Sequence, residues 1–339
     1  MTNTFEGIEQ RKVATRRITA NVLHRTGDGV PVVFIHGNVS SSLFFQPAML
    51  GLDRESFAID LRGFGESDAL AVDATRGLRD FSDDVAAVLD ALGVEHAHLV
   101  GWSMGGGVVA QLLIDRPELI TSLTLIATVP PFGFGTRVDG KPMTEDGAGT
   151  GGLGVNQEFV GLLASGETGE GSQSAPRSVF RSSYVAPGFA DDHEDVWVAA
   201  MLSTKTGEDN YPGNGVTSEH WPGFAAGDSG VLNAMSGKHL DWSAIEAVEP
   251  KPPILWLRGA HDVIVGDESL FDFNTLGKLG VVPDWPGDEV APPTPMLAQT
   301  RRVLERYGPY EEVVFEDAGH SPHLEQPERF LEVLERHIR

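Results

Sequence analysis

The stretch Gly101-Trp102-Ser103-Met104-Gly105 decides the reading of this chain. It follows a short apolar run, His98–Val100, and leads into Val108, Val109, Leu112 and Leu113. Gly-x-Ser-x-Gly between a strand and a helix reads as a nucleophile elbow. The turn is so tight that the residues two places before and after Ser103 must be nearly free of side chain, and it lifts the hydroxyl off the edge of a sheet. In a chain with 40 glycines the bare pentapeptide also reads as a chance glycine turn. The strand before it and the helix after it favour the elbow.

Outward from the elbow, β-rich runs recur at Val32–Ile35, Phe57–Ile59, His98–Gly101 and Ser122–Ala127, with helical segments between them. The clearest helix spans about Arg76 to Leu92, with Leu78, Phe81, Val85, Val88, Leu89 and Leu92 on one face and Gly93 as its C-cap. Strands alternating with helices predict an α/β protein with a mostly parallel twisted sheet and helices on both faces. The pattern stops near Pro130. It resumes at Ile254–Leu257 and Glu312–Phe315 and closes with a helix near Glu325–His337. Residues 1–130 and 250–339 are therefore expected to form one core domain, with 131–249 inserted as a mainly helical cap. Half of the glycines, 20 of 40, lie between Gly133 and Gly237. Prolines and acidic residues in Val281–Pro295 predict a loop.

A serine hydroxyl needs a general base. His320 follows the run Val313–Phe315 through Glu316-Asp317-Ala318-Gly319, so it sits past the carboxyl end of a late strand, on the elbow's side of the sheet. His323 is the rival, closer to a helix start. The base needs an orienting carboxylate. Asp262, reached from Ile254–Leu257 through Arg258-Gly259-Ala260-His261, is the candidate, with Asp267 the competitor and Asp317 read as a solvated or capping group. Backbone N–H groups must receive a developing oxyanion. Met104, after the nucleophile, offers one, and Asn38, in Ile35-His36-Gly37-Asn38, offers the other. His36 reads as a brace for that loop.

The 339 residues carry 49 acidic and 25 basic side chains, a net charge of −24, and no cysteine. Disulfides, thiolate metal sites and a cysteine nucleophile are excluded. Such acidity disfavours nucleic acid and anionic membranes as partners. Met1–Ala20 has no apolar core of a secretory signal, and no run of 18 apolar residues occurs, so a cytoplasmic protein is expected. His193, His220 and His239 are too scattered for a metal motif. No metal or organic cofactor is expected. The partner is a small-molecule substrate, and a homodimer is left open.

The segments His36-Gly37-Asn38, Asp60-Leu61-Arg62-Gly63-Phe64-Gly65-Glu66-Ser67, Gly101-Trp102-Ser103-Met104-Gly105-Gly106, Gly259-Ala260-His261-Asp262 and Gly319-His320-Ser321-Pro322-His323 together resemble the α/β-hydrolase superfamily. The resemblance covers roughly residues 15–130 and 250–339. It implies Ser103 as nucleophile, His320 as base, Asp262 as its partner, Asn38 and Met104 as the oxyanion hole, and a structural role for the Asp60–Ser67 turn. The elbow is similar to those of bacterial esterases, cofactor-free perhydrolases and carbon–carbon bond hydrolases. His36-Gly37-Asn38 also resembles haloalkane dehalogenases, but those need aspartate where Ser103 stands. The implied activity is cleavage of a carboxylic ester or lactone of a small-to-medium apolar substrate. Carbon–carbon bond hydrolysis, perhydrolysis and a non-catalytic binding role are the alternatives.

Aromatic residues Trp197, Trp221, Phe224 and Trp242, with Trp102 beside the nucleophile, are candidates for an apolar substrate pocket. The competing reading is that most of them form the cap's own core. The glycine-rich stretches Gly147–Gly154 and Gly166–Gly171 read as mobile loops.

Overall fold

The computed structural model describes residues 3–339, so residues 1 and 2, with which the expected core segment 1–130 begins, lie outside the described residues. Eight strands form the main sheet: β1 (Glu9–Ala14), β2 (Thr19–Arg25), β3 (Asp28–Ile35), β4 (Arg54–Ile59), β5 (Ala97–Trp102), β6 (Ile120–Ile126), β7 (Ile254–Gly259) and β8 (Tyr310–Phe315). Their spatial order is β1-β2-β4-β3-β5-β6-β7-β8. β2 runs antiparallel to both its neighbours, and every other pair is parallel. The sheet is therefore mostly parallel, as the alternation predicts. β5 is buried at every residue, which is why it reads as an unbroken apolar run. β1 went unread because only Val13 of its six residues is buried, and its charged side chains blunt an edge strand.

From β3 the chain steps outward to β4, then crosses back over β3 to β5. The carboxyl ends of β3 and β5 thus flank a switch in strand order, where open α/β sheets form a crevice.

Helix α1 (Arg79–Leu92) buries Phe81, Val85, Val88 and Leu89, the face that the periodicity marks, and ends at Gly93 in the left-handed region. It starts three residues later than the periodicity predicts. Asp73 caps a separate short turn, Ala74–Arg76, which Gly77 closes. Helix α2 (Met104–Asp115) is buried over its first ten residues and lies directly on the elbow.

Residues 131–249 contribute nothing to the main sheet. Three helical segments there exceed a turn or so, α3 (Gln157–Ser165), the run Pro176–Val179 continued by Phe180–Tyr184, and α4 (Glu194–Leu202), with nine residues each. Two short ribbons pair Thr206–Gly207 with Tyr211–Pro212 and Gly215–Thr217 with Phe224–Ala226. The expectation of a mainly helical insertion is corrected: most of it is turn and loop. Glycines at positive φ, among them Gly147, Gly149, Gly151, Gly213 and Gly230, turn the chain before a helix can propagate. The insertion joins the core through Phe44, against which Trp197, Phe180 and Tyr184 pack.

The expected loop at Val281–Pro295 contains neither strand nor helix. After it come α5 (Met296–Tyr307), β8, a helical turn at Pro322–Glu325 and α6 (Pro327–His337). The predicted closing helix is thus broken at Gln326, where Pro327 begins a new one.

Candidate active site

Ser103 joins β5 to α2 at φ 56°, ψ −119°. A serine held there costs about 1–3 kcal/mol, so its surroundings must fix it. Three backbone hydrogen bonds do: Ser103 N–H to Ile126 O at 2.8 Å, and Gly106 N–H and Val129 N–H to Ser103 O, each at 3.0 Å. The flanking glycines are needed for space. A Cβ on Gly101 would stand 2.3 Å from Gly105 O, and one on Gly105 would stand 2.2 Å from Ile35 O.

His320 lies past β8 and Asp262 past β7, each by a short turn. His320 Nδ1 is 2.8 Å from Asp262 Oδ2, and both side chains are only 2% exposed. The other carboxylate oxygen of Asp262 accepts Ile264 N–H at 2.8 Å and Val265 N–H at 3.0 Å. The competitor Asp267 is engaged elsewhere, accepting Leu297 N–H at 2.8 Å at the start of α5. Asp317 is exposed.

The rival histidine, His323, is buried against Phe45 and Trp102, and neither ring nitrogen has a partner among the described residues. Burial, reinforced by the nearby His320, pulls its pKa down to about 3, so it is a neutral packing group.

Ser103, His320 and Asn38 line one cavity of about 430 Å³. Ser103 Oγ has no hydrogen bond to His320 among the described residues. The N–H groups of Asn38 and Met104 have no protein acceptor among the described residues. His36 is fully buried, with Nδ1 at 2.7 Å from Gly37 O and Nε2 accepting Leu61 N–H at 3.0 Å. It ties the loop after β3 to the one after β4. Burial lowers its pKa, which suits this neutral tautomer. In the Asp60–Ser67 turn, Asp60 accepts Ser42 N–H, Glu66 N–H and the Asn21 amide, and Arg62 forms a paired contact with Asp84 of α1.

None of the five aromatic residues expected in the pocket, Trp242 included, lines it. Trp102 is fully buried and donates its indole N–H to His320 O at 2.8 Å, so it supports the His320 loop from below. Trp197 is fully buried between the insertion and the core, bonded to Asp191. Trp221 bonds to Pro283 O. Phe224 stands edge-on to Phe273 at 4.9 Å, one layer behind the wall. Trp242 is buried and bonded to Val129 O. The aromatic wall consists of Phe134, Phe159, Tyr184, Tyr211, Phe271 and Phe273. Among the described residues no lysine or arginine lines the cavity, and its titratable side chains are Tyr184, Tyr211, Asp272 and His320. Burial raises the pKa of Asp272, which is occupied by Thr294 and Thr275. The one signal in the sequence for the Phe271–Phe273 wall was an apolar cluster, Leu270-Phe271-x-Phe273, in a segment without strand or helix periodicity.

Among the described residues no three His, Cys, Asp or Glu side chains are grouped to hold a metal ion, and no helix is long and apolar enough to cross a membrane.

Residues 30–149 match the family described as alpha/beta hydrolase fold. With this sheet and elbow, the chain has the α/β-hydrolase fold. An esterase from Exiguobacterium antarcticum has a similar structure, with a TM-score of 0.63 at 18% identity over 97% of this chain and 99% of that one. Two curated relatives align with about a third of the chain. The dihydrolipoyllysine-residue acetyltransferase component of the acetoin cleaving system of Pseudomonas putida is 39% identical over 33% of this chain and 30% of its own. The 2-(acetamidomethylene)succinate hydrolase of Mesorhizobium japonicum is 36% identical over 35% of this chain and 43% of its own. The chain thus spans less than half the length of these relatives.

Proposed function

We propose that the protein is a serine hydrolase that cleaves a carboxylic ester or lactone of an uncharged, apolar small molecule through an acyl-enzyme on Ser103. The observation that carries this reading is that Ser103 and His320 open onto one cavity while Asp262 is bonded behind His320. Ser103 Oγ attacks the carbonyl carbon and His320 Nε2 takes its proton. The carbonyl oxygen becomes an oxyanion facing the N–H groups of Asn38 and Met104, beside the positive end of α2. The imidazolium, stabilised by Asp262, protonates the departing alkoxide. Water then repeats the sequence on the acyl-enzyme and releases the acid.

The lining supports an uncharged substrate. A carboxylate brought into this cavity would lose hydration and meet no cation, a cost of several kcal/mol. A succinate, as in the name of the Mesorhizobium relative, carries two such groups, so this cavity fits a different substrate.

Fluorophosphonate labelling of wild type and Ser103→Ala, followed by a panel of esters and lactones, tests the reading. Labelling confined to the wild type and turnover of neutral esters or lactones is expected. A folded wild type that does not label at Ser103 overturns the serine-hydrolase assignment. Turnover of vinylogous diketones without ester turnover would transfer the same three residues to carbon–carbon bond hydrolysis.

A further inference from the structure

Three residues of the insertion, Tyr184-Val185-Ala186, lie across both halves of the site. At one end the Tyr184 hydroxyl sits 3.0 Å from Asn38 O and 3.1 Å from Val39 O, on the loop after β3. At the other end Ala186 donates its N–H to Glu325 Oε2 at 2.6 Å. The same carboxylate accepts Gly319 N–H at 2.8 and 3.0 Å and Ser321 N–H at 3.3 Å, the amides on either side of His320. Contact there is close: a Cβ on Gly319 would lie 2.8 Å from both Ala186 N and Val185 C. All three residues of the segment are buried.

One carboxylate thus holds three backbone donors from two parts of the chain far apart in sequence. Each donor would be left unpaired in a sparsely hydrated place without it. Burial, with Asp262 nearby, raises the pKa of Glu325, so the fold accepts a cost to keep a carboxyl here.

We propose that Glu325 and Tyr184 are positioning residues that clamp the Tyr184–Ala186 strap onto the loops of Asn38 and His320, so that the site is aligned only while the cap is docked. The roles of Asn38 and His320 in this rest on the hydrolase reading above.

Glu325→Ala, Glu325→Gln and Tyr184→Phe, in the full chain, test the clamp. Three quantities are measured: melting temperature, kcat and KM on p-nitrophenyl butyrate, and hydrogen exchange of peptides covering residues 180–190 and 316–326. In Glu325→Ala, protection falls in both peptides together, and kcat falls by about 10²-fold with KM little changed, as expected when a reacting group shifts by about an ångström. The single oxygen of Gln serves either Ala186 and Gly319 or Gly319 and Ser321, so Glu325→Gln leaves Ser321 or Ala186 unpaired, loses protection in one peptide and has an intermediate kcat. Tyr184→Phe removes one hydroxyl and lowers kcat by up to about tenfold.

Unchanged exchange at 180–190 in Glu325→Ala, or exchange loss with wild-type kcat, overturns the proposal. If Glu325→Ala does not fold, Glu325→Gln and Tyr184→Phe decide by the same readings. A wild type without ester turnover or Ser103 labelling defeats the hydrolase reading. Loss of joint protection then still reports the clamp, and its absence defeats that too.

Discussion

Gly37→Ala separates the spacing of the site from its chemistry. No charged or hydrogen-bonding side chain changes, and Gly37 is not in the left-handed region, so its backbone accepts alanine. The added Cβ, however, would stand 2.8 Å from Ser103 Cβ and 3.2 Å from Trp102 O. Ordinary contact begins at 3.4 Å, so the first approach is 0.6 Å too short. Ser103 is held by three backbone bonds and cannot retreat along β5, so the loop after β3 must give way and carries Asn38 with it. A displacement of more than half an ångström between nucleophile and oxyanion donor is expected to lower kcat by about 10- to 10²-fold. The overpacking should cost about 1–3 kcal/mol of stability. The assay is kcat and KM on p-nitrophenyl butyrate, the rate of fluorophosphonate labelling, and thermal unfolding. Wild-type kcat and labelling rate in a folded Gly37→Ala protein would refute both the tight approach and the role of this loop.

Asp262→Asn keeps an oxygen for Ile264 and Val265 N–H but presents an amide to His320. The fold should persist while kcat falls by about 10⁴-fold, as when a triad histidine is held in the wrong tautomer. Asp267→Asn should leave turnover intact, and a large loss there instead would displace Asp262 from its assigned role. Leu270 and Phe271 line the cavity yet are each 47% exposed, so they form an apolar lip. The double change to serine should reduce kcat/KM for p-nitrophenyl octanoate by about tenfold with the acetate ester little affected, since each buried methylene is worth about 0.8 kcal/mol. An equal effect on both esters would remove the lip from substrate binding. The buried His323 has a folded pKa of about 3 against an ordinary 6.5. Its neutral form therefore supports stability fully above pH 6.5, and that support is lost as pH falls towards 3, at up to about 1.4 kcal/mol per pH unit. His323→Phe should flatten the decline of melting temperature between pH 6.5 and 4, and an unaltered decline would show that other groups control it.

The catalytic candidates were legible because each stands a short turn beyond an apolar strand, and strand ends in a parallel sheet share one edge. Ser103, Asp262 and His320 could be placed from β5, β7 and β8 with no knowledge of the insertion. Strands β1 and β2 were not legible, since charged side chains cover the first, and the second reads as a mixed polar run, Thr19–Arg25. The aromatic wall of the cavity was not legible for a different reason. Large aromatic residues of the insertion, with Trp102 of β5, suggested a pocket, but Trp102, Trp197 and Trp242 are among the largest fully buried side chains of the protein and hold the two parts together. Tryptophan is costly to leave open at a cavity wall when it can be buried with its N–H bonded, and each of these three has found such a partner. Tyr184 and Glu325 gave no signal at all, because their partners are backbone groups brought to them by the fold.

Charge and cavity bear on the substrate at different ranges and point the same way. At long range a net charge of −24 repels anions as they approach. Salt screens that field beyond about 10 Å, so it governs encounter rather than binding. At contact range the decisive fact is the lack of any lysine or arginine in a lining that already holds the buried carboxyl Asp272. Screening does not reach that interior, and an anionic substrate would meet its penalty there even in high salt. If selectivity for neutral over anionic esters came from the surface field alone, it would fade as salt is raised. On the proposed reading, in which the lining enforces it, the preference should appear in KM and kcat/KM and survive in 1 M salt, where the Debye length is about 3 Å.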